Sequence, residues 1–296
     1  MQRTTRLAGG IVLACLAASA AMAGNGTLDK MKSTGEIRIG FRADQFPFAY
    51  KAAERQPVGY TLDLCRGIVG LLQKEFAIGP VEFRLVPLSP GNRVAMVANG
   101  SVDMECDLST DNAGREAQVS FLDPTFVGST KILVRVGSGP ASVADMAGKR
   151  LVVVAGSSNV QVAMKLSAER GLKLKVLPVK DDKEATRMVD AGTADGFMSS
   201  DVLLYGAVVR TAEPAGYRIL DEPLTKRTYA IMVRREDAAF RDAANRALRT
   251  MIRSGAFEEI YQRWFQSPVA PAGLNLKLPM SEELRGRVVA AKAAPG

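Results

Sequence analysis

Residues 106–121, CDLSTDNAGREAQVSF, leave the strand-like run SVDME and pass through Leu108, Ser109, Thr110, Asp111 and Asn112 before reaching Arg115. A plain turn needs Gly, Asn or Asp; it does not need hydroxyls followed, one helical turn on, by an arginine. These residue types suit a carboxylate. A guanidinium grips one bidentately, which lysine cannot do, and Thr110 with nearby backbone N–H groups would add donors. The same residues also allow a surface helix on which Arg115 pairs with Asp111 or Glu116.

Further candidates follow other strand-like runs. Arg42, Asp44, Gln45, Phe46, Pro47, Phe48 and Tyr50 come after EIRIGF; Ser89, Pro90, Asn92 and Arg93 come after VEFRLVPL. In the second half the candidates are Ser157, Ser158 and Asn159, then Asp181 and Asp182, then Ser199, Ser200 and Asp201. Each has a plainer reading. Arg93 could face solvent, the aromatics could pack under a loop, and Ser157 and Ser158 could simply cap a helix. A phosphate loop is excluded at Gly156, because G-x-x-x-x-G-K is absent. Taken together, the first rim offers three arginines, and the second offers helix N-termini, hydroxyls and carboxylates. A small zwitterion could be held from both ends.

The elements that must position these residues alternate between helix and strand. The spacing predicts strands at 36–41, 81–88 and 102–106, with helices at 61–76 and 92–100 between them. The pattern recurs as strands at 151–155, 172–179 and 194–200 and helices at 160–171, 182–192 and 201–209. A strand at 228–235, helices at 238–255 and 256–265 and a Pro-rich irregular tail complete the chain. The fold class is therefore α/β, as two lobes that are each an open α/β sheet. Ligands in such sheets bind beyond the carboxyl ends of the strands.

Residues 1–23 read as an export signal: Arg3 and Arg6, an apolar run from Ile11 to Leu16, and Ala21-Met22-Ala23 as the cleavage site. A lipid-anchored Cys15 is the alternative. No later run reaches the roughly 18 apolar residues of a membrane span. The formal charge of +8 is scattered, which reads as a solvated surface, and no nucleic-acid partner is expected. With no histidine in the chain, Ser-His triads, Cys-His nucleophiles and most zinc sites are excluded. No cofactor or metal is expected. Cys65 and Cys106 could pair in an oxidising compartment or stay as buried thiols.

GEIRIGFRADQFPFAY, PVGYTLDLCRGIV, NRVAMVANGSVDMECDLSTDNAGREAQVSFLDPTFV, ADGFMSSDVLLYG, SGAFEEIYQRWF and SPVAPAGLNLKLPMS, in this order, resemble the periplasmic amino-acid-binding proteins of ABC importers, the family-3 solute-binding proteins. Arg42 and the last segment resemble most the glutamate/aspartate-binding branch. The resemblance implies a type II periplasmic-binding-protein fold with a ligand cleft between the lobes and two crossover strands. It places lobe 1 at 24–130, lobe 2 at 131–226, and a return to lobe 1 with C-terminal helices and tail at 227–296. It implies hinge closure on a polar amino acid, delivery to an inner-membrane ABC permease, and a monomer in the periplasm.

By this resemblance Arg115 clamps the ligand α-carboxylate, with the Thr110 hydroxyl beside it; Ser109, its neighbour in the opening stretch, is a further candidate ligand contact. Arg42 and Arg93 reach an acidic side chain or line that end of the pocket, and Ser157 matches a ligand-contacting hydroxyl position in lobe 2; Ser158 beside it is a candidate contact by its place after the strand. Three positions depart from the branch: Leu108 replaces a serine, Asp182 replaces a histidine, and Ser200 aligns with the ammonium-binding aspartate, leaving Asp201 one residue late. Two alternative functions are a cyclohexadienyl- or arogenate-type dehydratase on the same fold, with Asp182 or Asp201 as acid or base, and a ligand-loaded partner of a chemoreceptor.

Overall fold

The computed structural model of the chain describes residues 26–51, 56–269 and 273–294. The expected signal segment, with Cys15, lies outside them. From its start the chain forms α1 (Thr27–Thr34), β1 (Glu36–Phe41), the short pair β2 (Asp44–Gln45) and β3 (Ala49–Tyr50), and α2 (Tyr60–Glu75). Next come β4 (Glu82–Pro87), α3 (Arg93–Ala98), β5 (Met104–Glu105), α4 (Ala113–Glu116) and β6 (Val119–Phe121). The second α/β series runs through β7 (Phe126–Arg135), β8 (Arg150–Val154), α5 (Asn159–Glu169), β9 (Lys175–Val179), α6 (Asp182–Asp190), β10 (Gly196–Ser200) and α7 (Asp201–Val208). The chain then passes through β11 (Tyr217–Ile219), β12 (Thr225–Tyr229), β13 (Met232–Arg234), α8 (Ala238–Ser254), α9 (Ala256–Phe265) and α10 (Glu282–Ala293).

These elements make two separate sheets. The first has the order β4-β1-β5-β13-β6, with β1 parallel to both β4 and β5. The second has the order β11-β7-β10-β8-β9, with β12 added on β7. The α/β class and the two-lobed plan expected from the alternation are what the chain adopts. In β8 and β10 almost every residue is buried, as helices on both faces of a sheet require.

The chain crosses between the sheets twice. It enters the second along β7 and leaves along β12, and these two strands pair antiparallel from Thr225 opposite Thr130 to Tyr229 opposite Phe126. The expected boundaries at 130 and 226 fall inside these two strands. The single strand expected at 228–235 is instead two: β12 ends in the second sheet at Tyr229 and β13 begins in the first at Met232. Ala230 and Ile231, both fully buried, carry the chain across. One unbroken apolar run in the sequence thus serves two sheets, and periodicity cannot show where it bends.

An aromatic cluster anchors the crossing to the first lobe. Phe126, at the start of β7, stacks on Phe265 with ring centres 5.3 Å apart and also meets Phe48, Tyr261 and Tyr229. The Tyr60 hydroxyl donates to the carbonyl of Thr125 at 2.8 Å inside this core. Phe46, Phe48 and Tyr50 are therefore core residues. Gly59 lets α2 begin against β3: its φ is +152°, and a Cβ there would lie 2.1 Å from the carbonyl oxygen of Phe48.

The described part of the tail is irregular as far as Ser281. Leu274, Leu276, Leu278 and Met280 pack on the first lobe's core, and α10 then forms, which the sequence analysis did not anticipate. Its signals were Ser281, whose hydroxyl accepts the N–H of Leu284, and Glu282 and Glu283 in the first turn. Its apolar face is only Leu284 and Val288 among small residues, too thin to read as a period.

Cys65 of α2 and Cys106, just after β5, form a disulfide, with Cα atoms 6.4 Å apart. The bond closes a chain segment with a sequence separation of 41 residues and ties the main helix of the first lobe to the strand end that carries the clamp. Closing a loop of that size stabilises by about 4 kcal/mol in the chain-entropy view. The Cys65→Ala/Cys106→Ala variant should accordingly show a clearly lower urea midpoint, with an m-value equal or larger because the unfolded chain is no longer cross-linked. An unchanged midpoint would mean that the bond contributes nothing to stability.

Candidate functional site

The parallel strands of both sheets point their carboxyl ends at the gap between the lobes, so the residues that follow them gather there. Arg42 follows β1, Arg93 opens α3, and Asp107 to Thr110 follow β5. From the other side come Ser157 and Ser158 after β8, Asp182 after β9, and Ser200 and Asp201 after β10. The lobes meet across this gap: the Thr110 and Ser158 hydroxyls lie 3.2 Å apart, and the Gln45 amide donates to Asp182 at 2.7 Å.

Arg42, Arg93 and Arg115 are each more than nine-tenths buried. Arg115 pairs with neither Asp111 nor Glu116; its guanidinium donates to the carbonyl of Thr110 at 2.9 Å. The Asn112 side chain accepts the N–H of Arg115 and so starts the short α4 that aims it. Burial, then Arg93 and Arg227 nearby, lower the Arg115 pKa to about 10, with Glu105 opposing. A cation held down by other cations is a place for an anion.

Arg93 does not face solvent. It donates to the Ser109 hydroxyl at 2.9 Å, Ser109 donates to Glu105 at 2.9 Å, and Arg93 lies 3.6 Å from the same carboxylate. Glu105 is fully buried, and burial raises its pKa against the pull of Arg93 and the Ser109 hydrogen bond. Next to it Asp107 is buried as well. Burial, then the charge of Glu105, push its carboxyl up to about 8 despite Arg42 and Arg93. Neither acid was singled out from the sequence. The signal was present, though: two acids flanking Cys106, in VDMECD, at the end of a run that otherwise reads as a buried strand.

Arg42 donates to Asp44 at 2.8 Å and lies 3.6 Å from Asp182 across the cleft. Burial opposes its charge, but Asp182, then Asp107 and Asp44, outweigh it and the pKa is raised. Asp182 itself is raised to about 6 by burial, with Arg42 opposing and Asp44 and Asp181 adding to the rise. The carboxylate that departs from the acidic-ligand pattern is thus held by Arg42 and Gln45.

The remaining positions divide. Ser158 is the N-cap of α5 but makes no side-chain cap; its hydroxyl reaches Thr110 instead. Ser157 turns back to the carbonyl of Val154 at 2.6 Å. The Ser200 and Tyr229 hydroxyls meet at 2.6 Å, both buried. Both oxygens of Asp201 accept backbone N–H groups, from Ser129 at 3.0 Å and from Val202 at 2.7 Å. The approach needs Gly128, where a Cβ would lie 2.7 Å from an Asp201 oxygen. Asp201 therefore braces the crossover strand β7. Leu108 is packed in the first lobe's core. Among the described residues, no cluster of His, Cys, Asp and Glu could hold a metal ion, and no helix is long and apolar enough to cross a membrane.

The buried acids carry a pH signature. Asp107 binds its proton more tightly folded, at about 8, than unfolded, near 4. The stability it contributes is complete below about pH 4 and is lost as pH rises through the folded value. Asp107→Asn should therefore match the wild type in urea denaturation near pH 4 and exceed it at pH 9, by an amount on the order of a few kcal/mol. Equal stability at pH 9 would show that Asp107 is not ionised in a buried setting.

The model of the bacterial extracellular solute-binding proteins, family 3, matches residues 37–267. The chain is 34% identical over 261 residues to the L-glutamate/L-aspartate-binding protein of Pseudomonas aeruginosa, covering 88% of this chain and 86% of that one. It is 30% identical to the glutamate/aspartate import solute-binding protein of Escherichia coli, covering 90% and 88%. Among solved structures, an ancestral arginine-binding protein bound to glutamine superposes with a TM-score of 0.69 at 27% identity, covering 78% of this chain and 98% of the other.

Proposed function

The chain belongs to the bacterial extracellular solute-binding proteins, family 3, and from that membership we propose that it captures a polar amino acid, glutamate, aspartate or a close relative, and delivers it to an ABC permease in the inner membrane. The names of its relatives in Pseudomonas and Escherichia coli support the acidic choice. In this reading the protein is exported, loses the segment to Ala23, and acts as a monomer in the periplasm.

One observation carries the proposal: three guanidinium groups buried together at the meeting line of two lobes. Arg115, flanked by other cations, takes the α-carboxylate together with the Thr110 and Ser158 hydroxyls. Arg93, on its Ser109 and Glu105 support, faces the side-chain end, and Arg42 closes that end with Asp182 and Gln45. A ligand in this position touches both lobes, and its contacts add to those that already cross the cleft, among them Thr110 with Ser158 and Asp182 with Gln45 and Arg42. Binding then favours the closed form by its differential affinity for it. β7 and β12, anchored by Phe126 and Tyr229, are where the chain bends.

Binding fits these residues better than turnover does. A dehydratase would need an acid or base free to reach the leaving group. Both oxygens of Asp201 are engaged by backbone N–H groups, and Asp182 is held by Arg42 and Gln45.

Calorimetric titration of the ligand-stripped protein with the twenty amino acids, prephenate and arogenate tests the reading. An acidic amino acid should bind, and Arg115→Ala should weaken it about 100-fold or more while leaving the far-ultraviolet spectrum unchanged. Retained affinity within a few-fold would remove Arg115 from the clamp. Conversion of prephenate or arogenate would replace the binding reading with the enzymatic one. Asp182→His should shift preference further toward glutamate and aspartate if residue 182 reaches the ligand; an unchanged profile would place it outside the pocket.

A further inference from the structure

Asp107 has no part in the clamp as described, yet it lies among the clamp's charges. It follows Cys106, whose disulfide to Cys65 fixes this strand end. One of its oxygens accepts the N–H of Leu108 at 2.8 Å; the other is buried with no hydrogen-bond partner. An oxygen of Glu105 and Nε of Arg93 are buried and unpartnered too. The groups that act on Asp107 come from every element around it: Glu105 from β5, Arg42 from the end of β1 and Arg93 from α3. Arg115 of α4 feels its charge in turn, and Asp182 and Asp44 reach the same Arg42.

The charges nearly cancel when all are ionised: Arg42, Arg93 and Arg115 face Glu105, Asp107, Asp182 and Asp44. A neutral zwitterion can enter such a site without changing its balance. An acidic amino acid brings one more negative charge into a closed, poorly solvated cleft, where unbalanced charge is expensive. We propose that Asp107 sets which ligand charge the site accepts: ionised, it balances Arg42 and Arg93 for an uncharged side chain, and protonated, it frees them for a second carboxylate. The step is balanced. One ligand anion enters, one proton from solvent adds to an Asp107 oxygen, and the net charge of the cleft is unchanged. The buried carboxyl is already poised for this, since burial and Glu105 hold it at about 8. The inference rests on the amino-acid-binding reading above and names its specificity device.

The test is calorimetric titration of the ligand-stripped protein with L-glutamate and L-glutamine between pH 7 and 9, each in two buffers of different ionisation enthalpy. Above pH 8, glutamate should bind with uptake of about one proton, and its affinity should fall up to about tenfold per pH unit. Glutamine should bind, if weakly, with release of up to one proton below pH 8 and none above it, so that its affinity rises rather than falls with pH. Asp107→Asn should remove the proton uptake and flatten the glutamate profile. Should that variant not fold, the proton count of the wild type still decides. Glutamate binding without proton uptake, glutamine binding with the same uptake, or an unchanged slope in Asp107→Asn would each overturn the inference while leaving the binding function standing. Failure of every amino acid to bind would instead overturn the function, and this inference with it.

Discussion

Three guanidinium groups cannot be buried together unless anions are buried with them. That constraint organises this protein. Arg42, Arg93 and Arg115 lie in the seam between two lobes, Glu105 and Asp107 are buried alongside, and Asp182 is partly buried there. Each acid is raised by its burial and drawn down again by an arginine. The balance is incomplete at Arg115, whose neighbours include Arg93 and Arg227. It is there that an outside carboxylate has most to gain.

Holding such a cluster requires rigid supports, and the fold supplies them from opposite directions. The disulfide between Cys65 and Cys106 fixes the strand end from which Glu105 and Asp107 project. Asn112 starts the one-turn helix that aims Arg115, and Ser109 links Arg93 to Glu105. On the far side, Asp201 spends both its oxygens on backbone N–H groups, one of them on a strand that connects the lobes. The aromatic cluster around Phe126 secures the other end of that strand. The connection is thus held at both ends, by Asp201 on one side and by the aromatic cluster on the other.

The departures from the acidic-ligand pattern acquire physical meaning in this setting. Asp182, which alone would repel an acidic side chain, is neutralised by Arg42 and held by Gln45, a residue of the opposite lobe. Asp201, one residue past the position where that pattern has an aspartate, accepts backbone N–H groups with both oxygens and braces β7, and Ser200 meets Tyr229. Leu108 belongs to the core.

The sequence by itself determined the α/β alternation, the strands β1, β4, β5, β8, β9 and β10 with the helices α2, α3, α5, α6 and α7 that follow them, and the arginines at the strand ends. Those depend on local period, caps and residue type, which act over a few positions. It also carried the family's ordered motifs, and with them the type of ligand site. It missed α1, α4, the short strands and the long crossover strand β7. Tertiary structure alone decided that TYAIMVRR divides between two sheets, that Cys65 meets Cys106, and that Glu105 and Asp107 lie beneath the arginines. It also decided that Arg93 is buried and that Asp182 is paired across the cleft. These are matters of distance between segments remote in the chain. A buried charge takes its meaning from neighbours more than a hundred residues away, as Asp182 does from Gln45 and Arg42, and no local pattern encodes that proximity.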